Sequence, residues 1–270
     1  MTKIKSPIDG DPLMREKLHS EWTQAFRGPE NELYADMLFD YLKREAIYMR
    51  GTRVLDVGCG DGRFSRRLAE MGLQVISIDF SPVAVERAQK RVRDSGLEKS
   101  ITVLQEDLTK LNMTEKFDGV FCHGVLMHIP DQEAAISNIF NVLNEGGRVV
   151  FSELNMYAPE LVARRTISRI MGKKSVKYVW NQSSVVSWFE TDDGPLQTRS
   201  HNVPMFIKQL EAKGFSLVAR HSGELSELYT RVPRGVIRRA ILALNRLWFR
   251  YDGLAELAVG QIIICEKRSS

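Results

Sequence analysis

The fold of this chain is decided by the stretch Val54-Leu55-Asp56-Val57-Gly58-Cys59-Gly60-Asp61-Gly62. An apolar strand runs into an acidic residue and three alternating glycines, and the helix-forming segment 63–70 follows. Because glycine lacks a Cβ, the backbone can turn sharply here and can approach a bound molecule closely. The amides at the start of the following helix would face that molecule. The stretch therefore predicts a strand, a ligand-binding loop and a helix in succession.

The segments after this loop continue the alternation of strand and helix. A second apolar strand ends at Asp79, seventeen positions beyond Gly62, where a carboxylate can accept hydrogen bonds from both ribose hydroxyls. Ser81-Pro82 predicts a helix cap followed by proline at the first helical position. A third strand, 101–105, runs into Asp107. A fourth strand, 117–122, follows, so the pattern predicts a parallel sheet with acidic residues at several strand ends.

The glycine spacing differs from that of a dinucleotide-binding loop. A dehydrogenase fingerprint reads G-x-G-x-x-G, whereas this chain reads D-x-G-x-G-x-G with Arg63 at the position of the last dehydrogenase glycine. The stretch closely resembles the first motif of the class I S-adenosylmethionine-dependent methyltransferases. The resemblance continues through 117–131 and through the Gly146-Gly147 turn into a fifth strand, and it covers roughly residues 50–154.

This resemblance implies an α/β fold with a Rossmann-like, seven-stranded, mostly parallel sheet and helices on both faces. We expect an N-terminal helical cap over residues 1–49 and a cofactor-binding core over 50–154, with weaker core matches at 203–220 and 260–267. The remaining sequence predicts two inserted segments within this core. We therefore divide the rest of the chain into a substrate lid (155–200), a core continuation (201–222), an amphipathic helical insert (223–258) and a final strand with its tail (259–270).

The resemblance also implies which residues bind S-adenosylmethionine. In this family the acid of the loop lies near the amino group of the methionine moiety, and the glycines line that moiety. The acid after the second strand holds the ribose, the next residue packs on adenine, and an acid after the third strand faces the adenine amino group. The implied cofactor contacts are Asp56, Gly58, Cys59, Gly60, Asp79, Phe80, Asp107, Leu108 and Cys122.

Composition narrows the function classes further. A chain of 270 residues can form one large α/β domain with appended pieces. Its start lacks the apolar core of a signal peptide, and no apolar run approaches the roughly 20 residues that span a bilayer, so we expect a cytoplasmic protein. The three cysteines lack metal-ligand spacing and are expected to be reduced core thiols, with a catalytic thiol as the alternative. A net charge of +4 does not by itself indicate nucleic acid.

The N-terminal segment predicts two helices, 12–26 and 31–49, that could close over the donor pocket or merely pack on the core. The segment after the fifth strand mixes aromatic and basic residues. It could grip an anionic or glycosylated substrate, a phospholipid surface or RNA, or it could be a solvated helix with a few core anchors. Its aromatic residues are Tyr157, Tyr178, Trp180, Trp188 and Phe189.

The second insert predicts a basic amphipathic helix. Ile237, Ile241, Leu244 and Trp248 recur at helical spacing, and arginines occupy the other faces. Such a helix could contact a membrane. We favour the alternative that it covers the sheet or forms a dimer contact, because most amphipathic helices pack on their own protein.

Methyl transfer to a hydroxyl requires a base, and histidine is the natural residue near neutral pH. His128 matches the recurrent histidine of the family, and His123 lies nearer the expected donor, so both are catalytic candidates; each could equally be a structural histidine. His201 and His221 are further candidates. The chain lacks the tetrapeptide of adenine-amino methyltransferases and the Pro-Cys pair of cytosine-C5 enzymes, and no metal-ligand cluster is evident.

These observations lead to one principal hypothesis and two alternatives. The hypothesis is an S-adenosylmethionine-dependent methyltransferase acting on a small-molecule acceptor, with hydroxyl oxygen as the first choice of acceptor atom. A lipid-like acceptor approached at a membrane surface is a variant of this hypothesis, and a homodimer stays open. The alternatives are an RNA methyltransferase using the basic inserts and a non-catalytic S-adenosylmethionine-binding regulatory protein.

Overall fold

The computed structural model describes residues 12–18, 29–45, 53–172, 176–192, 194–233 and 235–269. The helices are α1 (Pro29–Arg44), α2 (Arg63–Glu70), α3 (Pro82–Asp94), α4 (Gln132–Val142), α5 (Pro159–Ile170), α6 (Val203–Lys213) and α7 (Val236–Arg250). The strands are β1 (Arg53–Val57), β2 (Gln74–Asp79), β3 (Ile101–Gln105), β4 (Phe117–His123), β5 (Leu143–Leu154), β6 (Val176–Trp180), β7 (Ser184–Thr191), β8 (Gly194–His201), β9 (Phe215–Ser222) and β10 (Gly260–Lys267). Short 3-10 turns include Leu108–Lys110, Leu126–His128 and Leu228–Thr230.

A seven-stranded sheet forms the centre of the molecule in the order β3-β2-β1-β4-β5-β10-β9. The first five strands of this order run parallel to one another, whereas β10 is antiparallel to both β5 and β9. The carboxyl ends of β1 to β5 and of β9 therefore lie at one edge of the sheet. This topology confirms the predicted Rossmann-like, mostly parallel seven-stranded sheet. In folds of this kind ligands bind outside the carboxyl ends of the strands.

Apolar side chains cover both faces of the sheet, as the predicted α/β class requires. On one face α4 and α6 pack through Ile139 and Phe206 against strand residues such as Phe151. On the other face α1 and α7 pack through Leu38 and Phe249. Helix starts follow the sequence signals. The Ser81 hydroxyl accepts from the Ala84 amide at 3.4 Å at the start of α3, as the Ser-Pro pair predicts.

The N-terminal segment is described only in part. Residues 12–14 form a 3-10 turn where the sequence predicts the start of a helix, and α1 begins at Pro29 and ends at Arg44. Residues 19–26 of the first predicted helix and residues 46–49 of the second lie outside the described residues. The role of this segment as a cap stays a prediction.

The first insert contains structure that the sequence analysis did not predict. Residues 155–201 form α5 and a separate antiparallel sheet in the order β6-β7-β8. A single parallel bridge between Asn155 and His201 ties this small sheet to the end of β5. The division of the chain into a core, a lid and a second insert stays a prediction.

The second insert contains the predicted amphipathic helix, but α7 packs with a different side. Of the two expected roles, covering the sheet is wrong for Ile237 and Leu244, which are 69% and 49% exposed, and a dimer contact stays a prediction. The buried residues are Arg238, Leu242, Asn245 and Phe249. The physical reason is a polar anchor, since the Asn245 side chain exchanges two hydrogen bonds with the backbone of Ser226. Among the described residues, no helix is long and apolar enough to cross a membrane.

Candidate functional site

The glycine loop lies at the carboxyl edge of the sheet, between β1 and α2. Gly58, Gly60 and Gly62 have φ values of 62°, 58° and 74°, a region that side chains with a Cβ rarely adopt. The loop is closed by the Cys59 amide, which donates to the Ile78 carbonyl at 3.0 Å, and by the Gly62 amide, which donates to the Cys59 carbonyl at 3.0 Å. The alternating glycines therefore form the tight turn that the sequence predicts.

Position 58 also lacks room for a side chain. A Cβ at this position would lie 2.5 Å from Cγ2 and 2.9 Å from Cγ1 of Val125, in the segment after β4. Gly96 has a similar φ of +65° but no heavy atom within 4 Å of the position of its Cβ. The two glycines therefore separate the effect of backbone conformation from the effect of packing.

We expect Gly58→Ala to destabilise the protein more than Gly96→Ala does. Both variants incur the left-handed backbone penalty of about 1–2 kcal/mol, but only Gly58→Ala adds overpacking against Val125, worth about 1–3 kcal/mol. The measurement is the free energy of unfolding in urea. Combining Gly58→Ala with Val125→Ala should restore part of the excess loss. Equal losses in the two single variants would show that Val125 does not confine the loop.

Asp79 joins the end of β2 to the glycine loop. Its Oδ2 accepts from the Gly60 amide and its Oδ1 from the Ser81 amide, both at 2.9 Å, and the residue is buried. Phe80 follows directly and is partly exposed, and its carbonyl accepts from the Gln105 side chain at 3.2 Å. The structure thus brings Asp79, Phe80 and Gly60 together, as the sequence predicts for residues that share one ligand.

Asp56 lies at the same edge and is buried on the face covered by α2. Ser65 Oγ donates to its Oδ2 at 2.6 Å. Burial raises the pKa of Asp56 to about 7, and the charges of Asp79 and Asp61 add to the increase, although the Ser65 hydrogen bond opposes it. No cationic group of the described residues is among the causes that set the pKa of this carboxyl group. A cationic ligand group beside it would favour the ionised form.

The other predicted cofactor residues occupy different environments. Asp107 follows β3 and is oriented by the Thr109 amide and hydroxyl, which donate to its Oδ1 at 2.8 and 2.7 Å. Leu108 begins the next 3-10 turn and is buried. Cys59 is buried in the loop itself. Cys122 lies at the end of β4, but its side chain belongs to the core cluster on the face of α4 and α6. Only the backbone of Cys122 therefore reaches the edge.

The thiols are poorly suited to nucleophilic chemistry. All three cysteines are free and buried. Burial raises the pKa of Cys59 and of Cys122 well above the ordinary value. Nucleophilic attack requires a thiolate. In the part of the chain that the structure describes, no group of three or more His, Cys, Asp or Glu side chains could hold a metal ion.

The four candidate histidines differ sharply in environment. His128 Nδ1 lies 2.8 Å from the carbonyl oxygen of Gln197 on β8, so Nδ1 carries the proton and Nε2 is the ring atom that can accept one. His123, at the end of β4, contacts the Phe64 ring with centroids 4.6 Å apart. Burial and the charge of Arg63 lower the pKa of His123 to about 3. Its Nε2 is buried and makes no hydrogen bond to any described residue.

The two remaining histidines are buried in the protein interior. His201 Nε2 lies 3.4 Å from Glu153 Oε2 and 3.3 Å from the Gln132 side-chain nitrogen. His221 lies between the rings of Tyr41 and Phe249, with centroid distances of 4.6 and 4.4 Å. Both are core positions, and His221 is on the distant strand β9.

Several residues of this edge were missed by the sequence analysis. Arg91 on α3 binds the loop through the carboxylate and carbonyl of Asp61, at 2.7 and 2.8 Å. Glu224 follows β9 at the same edge, and burial raises its pKa to about 8, with the charge of Glu227 adding to the increase. The Tyr229 hydroxyl donates to Glu224 at 2.9 Å. No local pattern signals these pairs, because the partners come from separate elements.

Comparison with known proteins agrees with this geometry. A family model described as a methyltransferase domain matches residues 49–197. The ubiquinone biosynthesis O-methyltransferase of Xanthomonas campestris is 31% identical over 188 residues, which are 67% of this chain and 78% of that protein. The protein of the same name from Xanthomonas oryzae is 32% identical over 167 residues, 60% of this chain and 69% of its own length.

Solved structures share the fold at low sequence identity. The CcbJ methyltransferase from Streptomyces caelestis superimposes with a TM-score of 0.64 at 15% identity, covering 97% of this chain and 100% of its own. The magnesium protoporphyrin IX methyltransferase from Synechocystis, solved with bound SAH, gives a TM-score of 0.60 at 19% identity, covering 94% and 96%. Because the family model spans more than half of the chain and the sheet has the order described above, the chain belongs to the methyltransferase domain family and is a class I S-adenosylmethionine-dependent methyltransferase.

Proposed function

We propose that this enzyme transfers a methyl group to a hydroxyl oxygen of a small-molecule acceptor, with His128 as the general base. The observation that carries the proposal is the 2.8 Å contact between His128 Nδ1 and the Gln197 carbonyl, which orients the ring and selects the tautomer in which Nε2 accepts a proton. The names of the Xanthomonas relatives, which are O-methyltransferases of ubiquinone biosynthesis, support oxygen as the acceptor atom and a small molecule as its carrier.

The residues around the glycine loop suit the donor. S-adenosylmethionine supplies a methyl group that is already activated by the positive sulfonium. Asp56 would pair with its ammonium group and Asp79 would accept from its ribose hydroxyls. Phe80 and Asp107 would contact the adenine, with Leu108, Cys59, Gly58 and Gly60 completing the walls and Cys122 contributing backbone. The raised pKa of Asp56 supports this assignment, because a buried carboxyl that resists ionisation is stabilised by a cationic partner.

The choice of His128 over the other histidines rests on the weak basicity of His123 and on the burial of His201 and His221. His123 is too weak a base, because its pKa of about 3 makes proton abstraction from a hydroxyl unfavourable. We assign His123 to the wall between the donor and the acceptor. His201 and His221 are buried among protein partners, which supports structural roles for both.

We further propose that residues 155–200 act as the lid over the acceptor. Gln197 of β8 contacts His128, so this segment contacts the loop that carries the base. A lid in contact with the base would exclude water when the acceptor binds. The acceptor would then meet the donor in a desolvated site, where in-line displacement is favoured by alignment.

Donor affinity should rise with pH across neutrality. Below the Asp56 pKa of about 7 the carboxyl is protonated and must lose its proton to pair with the ligand ammonium. Between pH 8 and pH 6 the ionised fraction falls about tenfold, and affinity for S-adenosylhomocysteine should fall by about the same factor. Calorimetric titration at several pH values measures this, and Asp56→Asn should flatten the profile. If the affinity of the wild type did not change with pH, Asp56 would not be the partner of the ligand ammonium group.

The same shift has the opposite effect on the protein without ligand. An acid whose pKa is raised on folding binds more protons in the folded state, so its contribution to stability falls as the pH rises from about 4 to about 7. Asp56→Asn should therefore reduce the loss of stability over this window. Thermal melts at pH 5 and pH 8 provide this control.

The proposal is tested by transfer of a labelled methyl group. The full chain is incubated with labelled S-adenosylmethionine and matched panels of phenolic or alcoholic acceptors, their amine analogues, and RNA. Labelled ethers from the hydroxylated panel support oxygen methylation. Products only from the amines, or only from RNA with a steep salt dependence, would overturn it. The cytoplasmic location stays a prediction of the sequence.

A further inference from the structure

The outward side of α7 is apolar. Five residues define this outer face, with exposed fractions from 49% to 73%: Val236, Ile237, Leu244, Leu247 and Tyr251. They recur at helical spacing along the whole helix, so they form one stripe. Monomeric proteins rarely leave such a contiguous stripe in water, and larger exposed patches mark interaction sites.

Polar anchors on the inner side hold α7 in this rotation. The Asn245 side chain accepts from the Ser226 amide at 3.0 Å and donates to the Ser226 carbonyl at 2.8 Å. The buried Arg238 guanidinium lies 5.8 Å from the centroid of the Tyr229 ring. Turning the apolar stripe inward would break the Asn245 bonds and move a charged group. These inner contacts therefore keep the apolar side chains of the outer face exposed.

The charged residues of the segment 229–251, which contains α7, have one sign. Residues 229–251 contain six arginines and no Asp, Glu or Lys. Arg239 and Arg250 are exposed beside the stripe, and Arg250 lies 5.8 Å from the Tyr251 ring. Arginine side chains can bury their aliphatic stems while the charged heads reach outward. The outer face thus combines apolar side chains with cations at its margins.

Helix α5 extends this surface. It packs against the same segment 224–231 as α7, because the Glu227 amide donates to Glu160 on α5 at 3.2 Å. Ile167 and Ile170 of α5 are 55% and 79% exposed, and Leu228 between the two helices is 45% exposed. Residues 161–189 contain no acidic residue. Both helices that contact the segment 224–231 therefore expose apolar side chains.

We propose that the outer face of α7, with the adjoining part of α5, docks on an anionic phospholipid bilayer. A helix with an apolar stripe and arginine margins lies in the membrane interface, where lipid headgroups neutralise the cations. A second copy of the chain fits less well, because a two-fold interface would oppose the arginines of the two copies. A nucleic acid would neutralise the arginines but would leave the aliphatic side chains without an apolar partner.

Vesicle sedimentation tests the proposal. The full chain is mixed with vesicles of phosphatidylcholine alone or of equal parts phosphatidylcholine and phosphatidylglycerol. We expect binding to the anionic vesicles, at least about tenfold weaker binding to the neutral ones, and weakening by salt. Leu244→Glu/Leu247→Glu and Arg239→Glu/Arg250→Glu should each reduce binding at least about tenfold. Affinity for S-adenosylhomocysteine should not change, because neither pair contacts the glycine loop.

The matched control is Leu104→Glu. Leu104 lies on β3, the outer strand on the side of the sheet away from β9, and its side chain is 36% exposed. This variant should bind anionic vesicles like the wild type. Failure of the wild type to bind anionic vesicles would overturn the proposal, as would equal loss in the control. Light scattering that shows a dimer disrupted by Leu244→Glu/Leu247→Glu, with vesicle binding unaffected, would instead assign the face to a second copy.

Discussion

Asp79→Ala should lower the affinity for S-adenosylhomocysteine at least about 100-fold. The variant would lose two charge-assisted hydrogen bonds to the ribose, each worth about 1.5–3 kcal/mol. The Gly60 and Ser81 amides, which donate to the Asp79 carboxylate at 2.9 Å, would also lose their acceptor. Both effects act on the donor pocket and not on the acceptor. The measurement is calorimetric titration of S-adenosylhomocysteine into the wild type and the variant.

Asp118→Ala is the matched control for this experiment. Asp118 also accepts a backbone amide, that of Arg53 at 3.1 Å, but it lies near the start of β4 at the opposite edge of the sheet. The Asp118→Ala variant should have a lower free energy of unfolding, but its affinity for S-adenosylhomocysteine should stay that of the wild type. Comparable affinity losses in Asp79→Ala and Asp118→Ala would mean that binding responds to general destabilisation, and the assignment of Asp79 to the ribose would fail.

His128→Ala should lower kcat by about 10²–10⁴, the usual contribution of a positioned general base. The affinity for S-adenosylhomocysteine should stay unchanged, because this ring is assigned to the acceptor side. At saturating donor, the pH dependence that a general base gives to the rate should be present in the wild type and absent from the variant. Single-turnover transfer to an acceptor found in the hydroxyl panel, measured across pH, provides both readouts.

His221→Gln is the corresponding control. His221 Nδ1 also contacts a backbone carbonyl, that of Ser222 at 2.7 Å, but the ring is enclosed by Tyr41 and Phe249. This variant should lower the unfolding temperature and leave the rate per folded molecule and its pH profile intact. If His123→Ala removed the pH-dependent step while His128→Ala did not, the base would have to be reassigned to His123.

The core of the fold was accessible from sequence because its signals are local. β1 and β2 are short apolar runs with an acid at or next to the carboxyl end, and the glycines at 58, 60 and 62 follow the first of them. Each such signal lies within one element and its next turn. The parallel order of the sheet then follows from the alternation of strand and helix. The strand-end acids therefore converge as the sequence predicts.

Features that depend on distant partners were not accessible in the same way. Strand β8 carries polar and charged residues at many positions, and both β6 and β8 are defined by their pairing with β7. The rotation of α7 depends on the Asn245 contact with Ser226, which no helical pattern contains. The tautomer of His128 depends on a carbonyl of β8. Periodicity indicates that a helix has two sides, but only the tertiary structure determines which side faces inward.

The hydrogen bonds from Gly60 and Ser81 to Asp79, and those from Arg91 to Asp61, are made by protein atoms alone. The glycine loop is thus preorganised, and little backbone entropy remains to be lost when the donor arrives. The rate of donor association should then be set by diffusion of the donor to the glycine loop and not by folding of the loop. By the same reasoning, the spent donor leaves a loop that keeps its shape, so successive donors enter without a refolding delay.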